Sequence, residues 1–87
     1  MRGRKGNNML IPVDQLRAGQ SGVVHSIEGG RGAQQRLESL GVRPGKVVVK
    51  VSGLFMGGPV TVTVDGRQVA MGRGIATKVL VEPKSTT

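Results

Sequence analysis

The chain has a single histidine, His25, and few acids, and this limits the chemistry it can perform. Asp14, Glu28, Glu38 and Asp65 stand far apart in sequence, so no two carboxylates are paired for general acid–base work, and Ser21, Ser26 and Ser39 have no evident base. An enzyme is not expected. Divalent transition metals favour sets of imidazole and carboxylate ligands, often two histidines and an acid, and one histidine does not supply such a set. The sulfurs of Met9, Met56 and Met71 suit copper(I) better, and the absence of cysteine removes thiolate sites, thiol catalysis and disulfides. No cofactor and no metal site are therefore expected.

What remains is binding, and three stretches qualify. Gly29-Gly30-Arg31-Gly32 has the look of a phosphate cradle, but it lacks the Gly-Lys-Ser or Gly-Lys-Thr ending and the parallel-sheet setting, so it reads as a strand-to-helix turn. The loop Gly53-Leu54-Phe55-Met56-Gly57-Gly58 puts the only aromatic side chain, Phe55, beside Leu54 and Met56 between glycines. Those side chains either fold back to cap the core or form an apolar contact for a protein partner or a second copy of this chain. The third stretch is polar: Arg31, Gln34, Gln35 and Glu38 fall on the outer side of an expected helix, with Arg43 in the loop beyond it. Such a face is either solvated or a docking surface.

The elements that position these residues are organised around Arg36-Leu37-Glu38-Ser39-Leu40-Gly41-Val42-Arg43-Pro44-Gly45-Lys46. Ala33, Leu37 and Leu40 recur at helical spacing, which predicts a helix over 33–40, and Gly41 follows where a helix end favours positive φ. Val42 can fold back onto that helix. Pro44 and Gly45 suit the two central positions of a turn, after which β-branched residues start a strand over 46–51. Its alternation puts Val47, Val49 and Val51 on one side as core, with Lys46, Val48 and Lys50 on the other.

Strands are also expected over 23–27, 60–64, 67–71 and 78–81, and 9–11 is a possible short edge strand. In 23–27, Val24 and Ile27 share a face only if a bulge intervenes. Asp65-Gly66 is a type I′ hairpin signature that sets Val64 opposite Arg67, Val62 opposite Val69 and Val60 opposite Met71. Residues 14–19 read as a single helical turn ended by glycine, 72–76 as a turn, and Pro83 as the mark of an edge. By pattern the core takes Leu37, Leu40, Val47, Val49, Val62, Val69, Val79 and Val81.

Eighty-seven residues allow one domain, which buries a little over about 60% of its unfolded surface. That domain is expected over 9–83, with 1–8 a disordered basic tail and 84–87 a disordered end. The formal charge of +8 raises nucleic acid, an anionic surface or an acidic protein as partner, but near-absence of aromatic side chains disfavours nucleic acid. No apolar run is long enough for a membrane span and no secretory leader is evident, so membrane insertion is not expected and the location reads as cytoplasmic. The fold class that follows is mostly β: a small SH3-like five-stranded barrel with one short helix.

Four segments carry a family resemblance in order. They are Leu16-x-x-Gly19-x-x-Gly22-x-Val24-x-x-Ile27-x-Gly29-Gly30, then Arg36-Leu37-x-x-Leu40-Gly41-x-x-Pro44-Gly45, Gly57-x-Pro59-Val60, and Val69-Ala70-Met71-Gly72-Arg73-x-x-Ala76-x-x-Val79-x-Val81. In these the chain resembles the FeoA family of small cytosolic proteins associated with ferrous iron transport. The resemblance implies a non-catalytic accessory that docks on the cytosolic GTP-binding domain of the FeoB transporter. Related domains also end metal-dependent repressors, so a basic SH3-like module of a metal-responsive transcription regulator, or a nucleic-acid binder, is the alternative.

Overall fold

The computed structural model describes residues 9–51 and 58–84. Among them runs one antiparallel sheet of six strands: β1 (Ile11–Pro12), β2 (Ser21–Ile27), β3 (Val47–Lys50), β4 (Val60–Val64), β5 (Arg67–Met71) and β6 (Val79–Pro83). Their order across the sheet is β1-β6-β2-β3-β4-β5. A 3₁₀ turn (Val13–Gln15) follows β1, helix α1 (Arg31–Ser39) lies between β2 and β3, and helix α2 (Arg73–Ala76) connects β5 to β6. The architecture is the expected mostly-β one with two changes of count. The edge strand β1 makes six strands rather than five, and the turn expected at 72–76 closes into a second short helix, Ala76 and Thr77 donating to Gly72 and Arg73 carbonyls.

The β4–β5 hairpin follows from its two-residue loop. Asp65 and Gly66 take φ of 52° and 79°, and the register is Val64 to Arg67, Val62 to Val69 and Val60 to Met71. The one face this produces is buried: Val60, Val62, Val64, Val69 and Met71. In β2 the register against β6 shifts between Val24 and Ser26, so His25 is the extra residue of a bulge. The bulge resets parity and buries both Val24 and Ile27 while His25 points into solvent.

Helix α1 closes with a complete Schellman motif. Gly41, at φ 99°, donates to Glu38 O at 3.0 Å, and Val42 donates to Leu37 O at 2.9 Å. Val42 and Leu37 are both buried, so the expected fold-back of Val42 onto the helix is what ends it. The chain then turns through Arg43-Pro44-Gly45-Lys46, Gly45 at φ 93° and Lys46 donating to Arg43 O at 3.0 Å.

Three assignments require correction. In β3 the inner side is the one with lysines: Val48 is fully buried, Val49 is half-buried and Val47 is 43% exposed. Both lysines of that parity find acceptors at its two ends. Lys46 pairs with Asp65 at 2.9 Å, and Lys50 Nζ donates to the Asp14 and Leu16 carbonyls at 3.1 and 3.0 Å. Charge at the ends of a strand therefore does not mark its solvent side. Leu40, placed in the core by helical spacing, is 40% exposed, because the Schellman contact uses Val42 instead. Finally, β6 is interior, flanked by β1 and β2. Lys84 donates to Ser21 O at 2.9 Å, which puts Pro83, opposite Gly22, at a non-bonded position where its missing N–H costs nothing.

Close approach explains one glycine. A Cβ on Gly22 would lie 3.2 Å from Glu82 O and from a Val81 methyl, so glycine relieves a tight approach between the paired strands β2 and β6.

Candidate docking surface

The face of α1 divides by how its polar side chains are engaged. Gln34 is turned inward and half-buried, its Nε2 donating to Ile27 O at 2.7 Å, which ties the helix to the end of β2. Arg31, Gln35 and Glu38 are exposed, as is Arg43 in the connection to β3. No side chain of these four enters a hydrogen bond or ion pair with another described residue. Sequence reasoning thus grouped five residues of which one has a structural role.

Three further features belong to this region. Leu40 and Val47, two of the exposed large apolar side chains, lie in the same segment as Arg43. Asp65, at the hairpin tip, is held below the usual carboxylate range by the hydrogen bond and charge of Lys46, with Arg43 and Arg67 adding to the effect. Three cations thus surround one carboxylate, and the surface there carries net positive charge. Sequence spacing missed Leu40 and Val47 by counting them as core. One signal could have found Leu40: with Gly41 at the helix end, the motif pairs Val42 with Leu37 and leaves Leu40 outside the contact.

The other sequence candidates resolve differently. Leu54, Phe55 and Met56 lie outside the described residues. Gly29 to Gly32 forms a strand-to-helix turn: Gly29 has φ 102° and Gly30 is the extended N-cap of α1, with both neighbours of β2 antiparallel. His25 Nδ1 lies 3.3 Å from Ser26 Oγ, and among the described residues no three His, Cys, Asp or Glu side chains gather to hold a metal ion. No helix among them is long and apolar enough to cross a membrane. Among the described residues the arrangement offers an exposed polar surface to bind with.

Comparison with known proteins agrees with this architecture. Over 73 residues the chain is 34% identical to a provisionally named Fe(2+) transport protein A of Methanocaldococcus jannaschii, spanning 84% of this chain and 87% of that protein. A crystal structure of an iron uptake regulatory protein, FeoA, superposes with a TM-score of 0.79 at 34% identity, over 87% of this chain and all of the other. A manganese-dependent transcriptional repressor shares the fold, with a TM-score of 0.78 at 18% identity over 86% of this chain and 41% of its own length. The FeoA domain model matches residues 11–83, from the first strand to the last, and with that span and the two relatives at 34% identity the chain belongs to the FeoA family.

Proposed function

We propose that this chain is a non-catalytic accessory of ferrous iron transport that acts in the cytosol. It docks on the GTP-binding domain of a FeoB-type transporter. The iron-transport role rests on family membership and on the relative named for Fe(2+) transport. The surface rests on one observation: Arg31, Gln35, Glu38 and Arg43 are exposed on one helix and its following loop, with no side-chain hydrogen bond or ion pair to another described residue. Side chains without internal bonds can make them to a partner without breaking any of the fold's own. Leu40 and Val47 supply apolar contact beside them, and the loop with Leu54, Phe55 and Met56 is the second candidate contact. Gln34 is left out of the surface proper, because its amide is already committed to Ile27.

A second reading has its own support, in the charge of +8 and the fold shared with a metal-dependent repressor. On that reading the chain is a basic module that binds nucleic acid or works in transcription. Isotope-labelled protein titrated with the transporter's GTP-binding domain at physiological salt, and in parallel with duplex DNA, distinguishes the two. Amide shifts confined to 31–43 or 54–56 on adding the transporter domain are the expected result. Silence there, with shifts over Lys and Arg positions that fade as salt rises, would favour the basic module, since neutralised phosphates release counterions.

A further inference from the structure

The two edges of the sheet are built differently. At one, β1 has two residues, the second of them Pro12, which has no N–H to offer a neighbour. A short strand with a proline is a common way to keep an edge from pairing. At the other edge, β5 runs five residues in unbroken register with β4, without a bulge or proline.

The hairpin fixes which backbone groups of β5 are left over. In a two-residue I′ loop the flanking pair, Val64 and Arg67, exchanges hydrogen bonds, and by alternation so do Val62 with Val69 and Val60 with Met71. The N–H and C=O groups of Gln68 and Ala70 therefore point away from β4, and no described residue pairs with them. Both residues are exposed, and their side chains, an amide and a methyl, carry no charge to repel an incoming strand.

We propose that β5 pairs with β5 of a second copy of this chain, antiparallel about a two-fold axis at Val69. Gln68 then bonds Ala70 of the other copy and Ala70 bonds its Gln68, which satisfies the outward groups of both strands. The register is chosen by charge. Centring the axis one residue later, at Ala70, sets Arg67 against Arg73 twice; centring it one earlier, at Gln68, calls on Gly66, which is in the turn at φ 79°. With Val69 central, Arg67 faces Met71, and the Asp65 turn lies opposite exposed Arg73. One strand pair covers little surface, so the dimer is weak and forms at high concentration. Two chains of charge +8 repel at long range, so added salt tightens it.

The test is a dilution series of the full chain, from millimolar to tens of micromolar, followed by sedimentation velocity and amide spectra at two salt concentrations. Expected are a monomer–dimer equilibrium, concentration-dependent shifts centred on the Gln68 and Ala70 amides, and tighter association at higher salt. Ala70→Lys and Arg73→Glu, both at exposed positions, are each expected to weaken association about tenfold with the thermal midpoint unchanged. A monomer at every concentration, association that shifts residues elsewhere, or association that weakens with salt would overturn the proposal. None of these outcomes bears on binding to a transporter domain through α1.

Discussion

The two ends of α1 are held by different means. At the C-terminal end Gly41 and Val42 satisfy the Glu38 and Leu37 carbonyls, and Val42 is sealed into the core against Leu37. At the N-terminal end the cap is Gly30, with no side-chain bond to the free N–H groups and no acid in the first turn. Arg31 there even opposes the helix dipole. Among the described residues, the side-chain hydrogen bond that ties that end to the sheet is from Gln34, reaching back to Ile27 O. A helix locked at one end and loosely tied at the other keeps its direction while its first turn stays adaptable. The exposed residues Arg31 and Gln35 sit at the adaptable end, and Glu38 and Arg43 at the fixed one.

Removing the lock is expected to have the largest effect. Val42→Ala deletes two methyl groups from a fully buried site and costs about 2 kcal/mol, measured by denaturant unfolding. Gln34→Ala releases the other end at about 1 kcal/mol, with faster amide exchange confined to the first turn of α1. A cost equal to that of Val42→Ala would erase the proposed difference between the ends.

Gly30→Asp sharpens the contrast from the other side. Gly30 has φ −78° and ψ 162°, an extended cap that any residue adopts, and open space where a Cβ would stand. An aspartate there gives the first turn its missing acceptor and is expected to stabilise by about 0.5 kcal/mol, slowing exchange at the N-terminal end alone.

The smallest effect lies near the fixed end, at Asp65. Its pKa in the folded protein is lowered, chiefly by the Lys46 hydrogen bond. The stabilisation this linkage provides is therefore complete above the ordinary carboxylate range and is lost as pH falls through the lowered folded-state value. Lys46→Ala is expected to move the Asp65 titration, followed by carboxyl NMR, up toward the usual range. With both groups substantially exposed, stability near neutral pH should change little.

Elements whose signals are local were legible in the sequence. Asp65-Gly66 dictated both the turn and the β4–β5 register, because only a narrow set of residues takes positive φ twice in succession. Gly41 and Val42 marked the helix end for the same reason, and the mismatch of Val24 and Ile27 raised a bulge between them, which the structure places at His25. Within the candidate surface, the exposure of Arg31, Gln35, Glu38 and Arg43 was also readable, since charged and amide side chains off an apolar stripe face water. The sign of β3 was not. Its alternation favours the side of Val47, Val49 and Val51, and the inward turn of Val48 goes with partners far along the chain, Asp65 for Lys46 and the Asp14 and Leu16 carbonyls for Lys50.

The sequence by itself determined the class of fold and the places where the chain turns. These follow from backbone preference and residue inventory, which act over a few neighbours at a time. Only the tertiary structure decided that Gln34 anchors rather than binds, that Leu40 and Val47 are exposed, that β6 is interior and that β5 has no second strand beside it among the described residues. Each of those depends on which distant strand or carbonyl arrives as a neighbour, and pairing between residues far apart in the chain leaves no mark in the local pattern of either one.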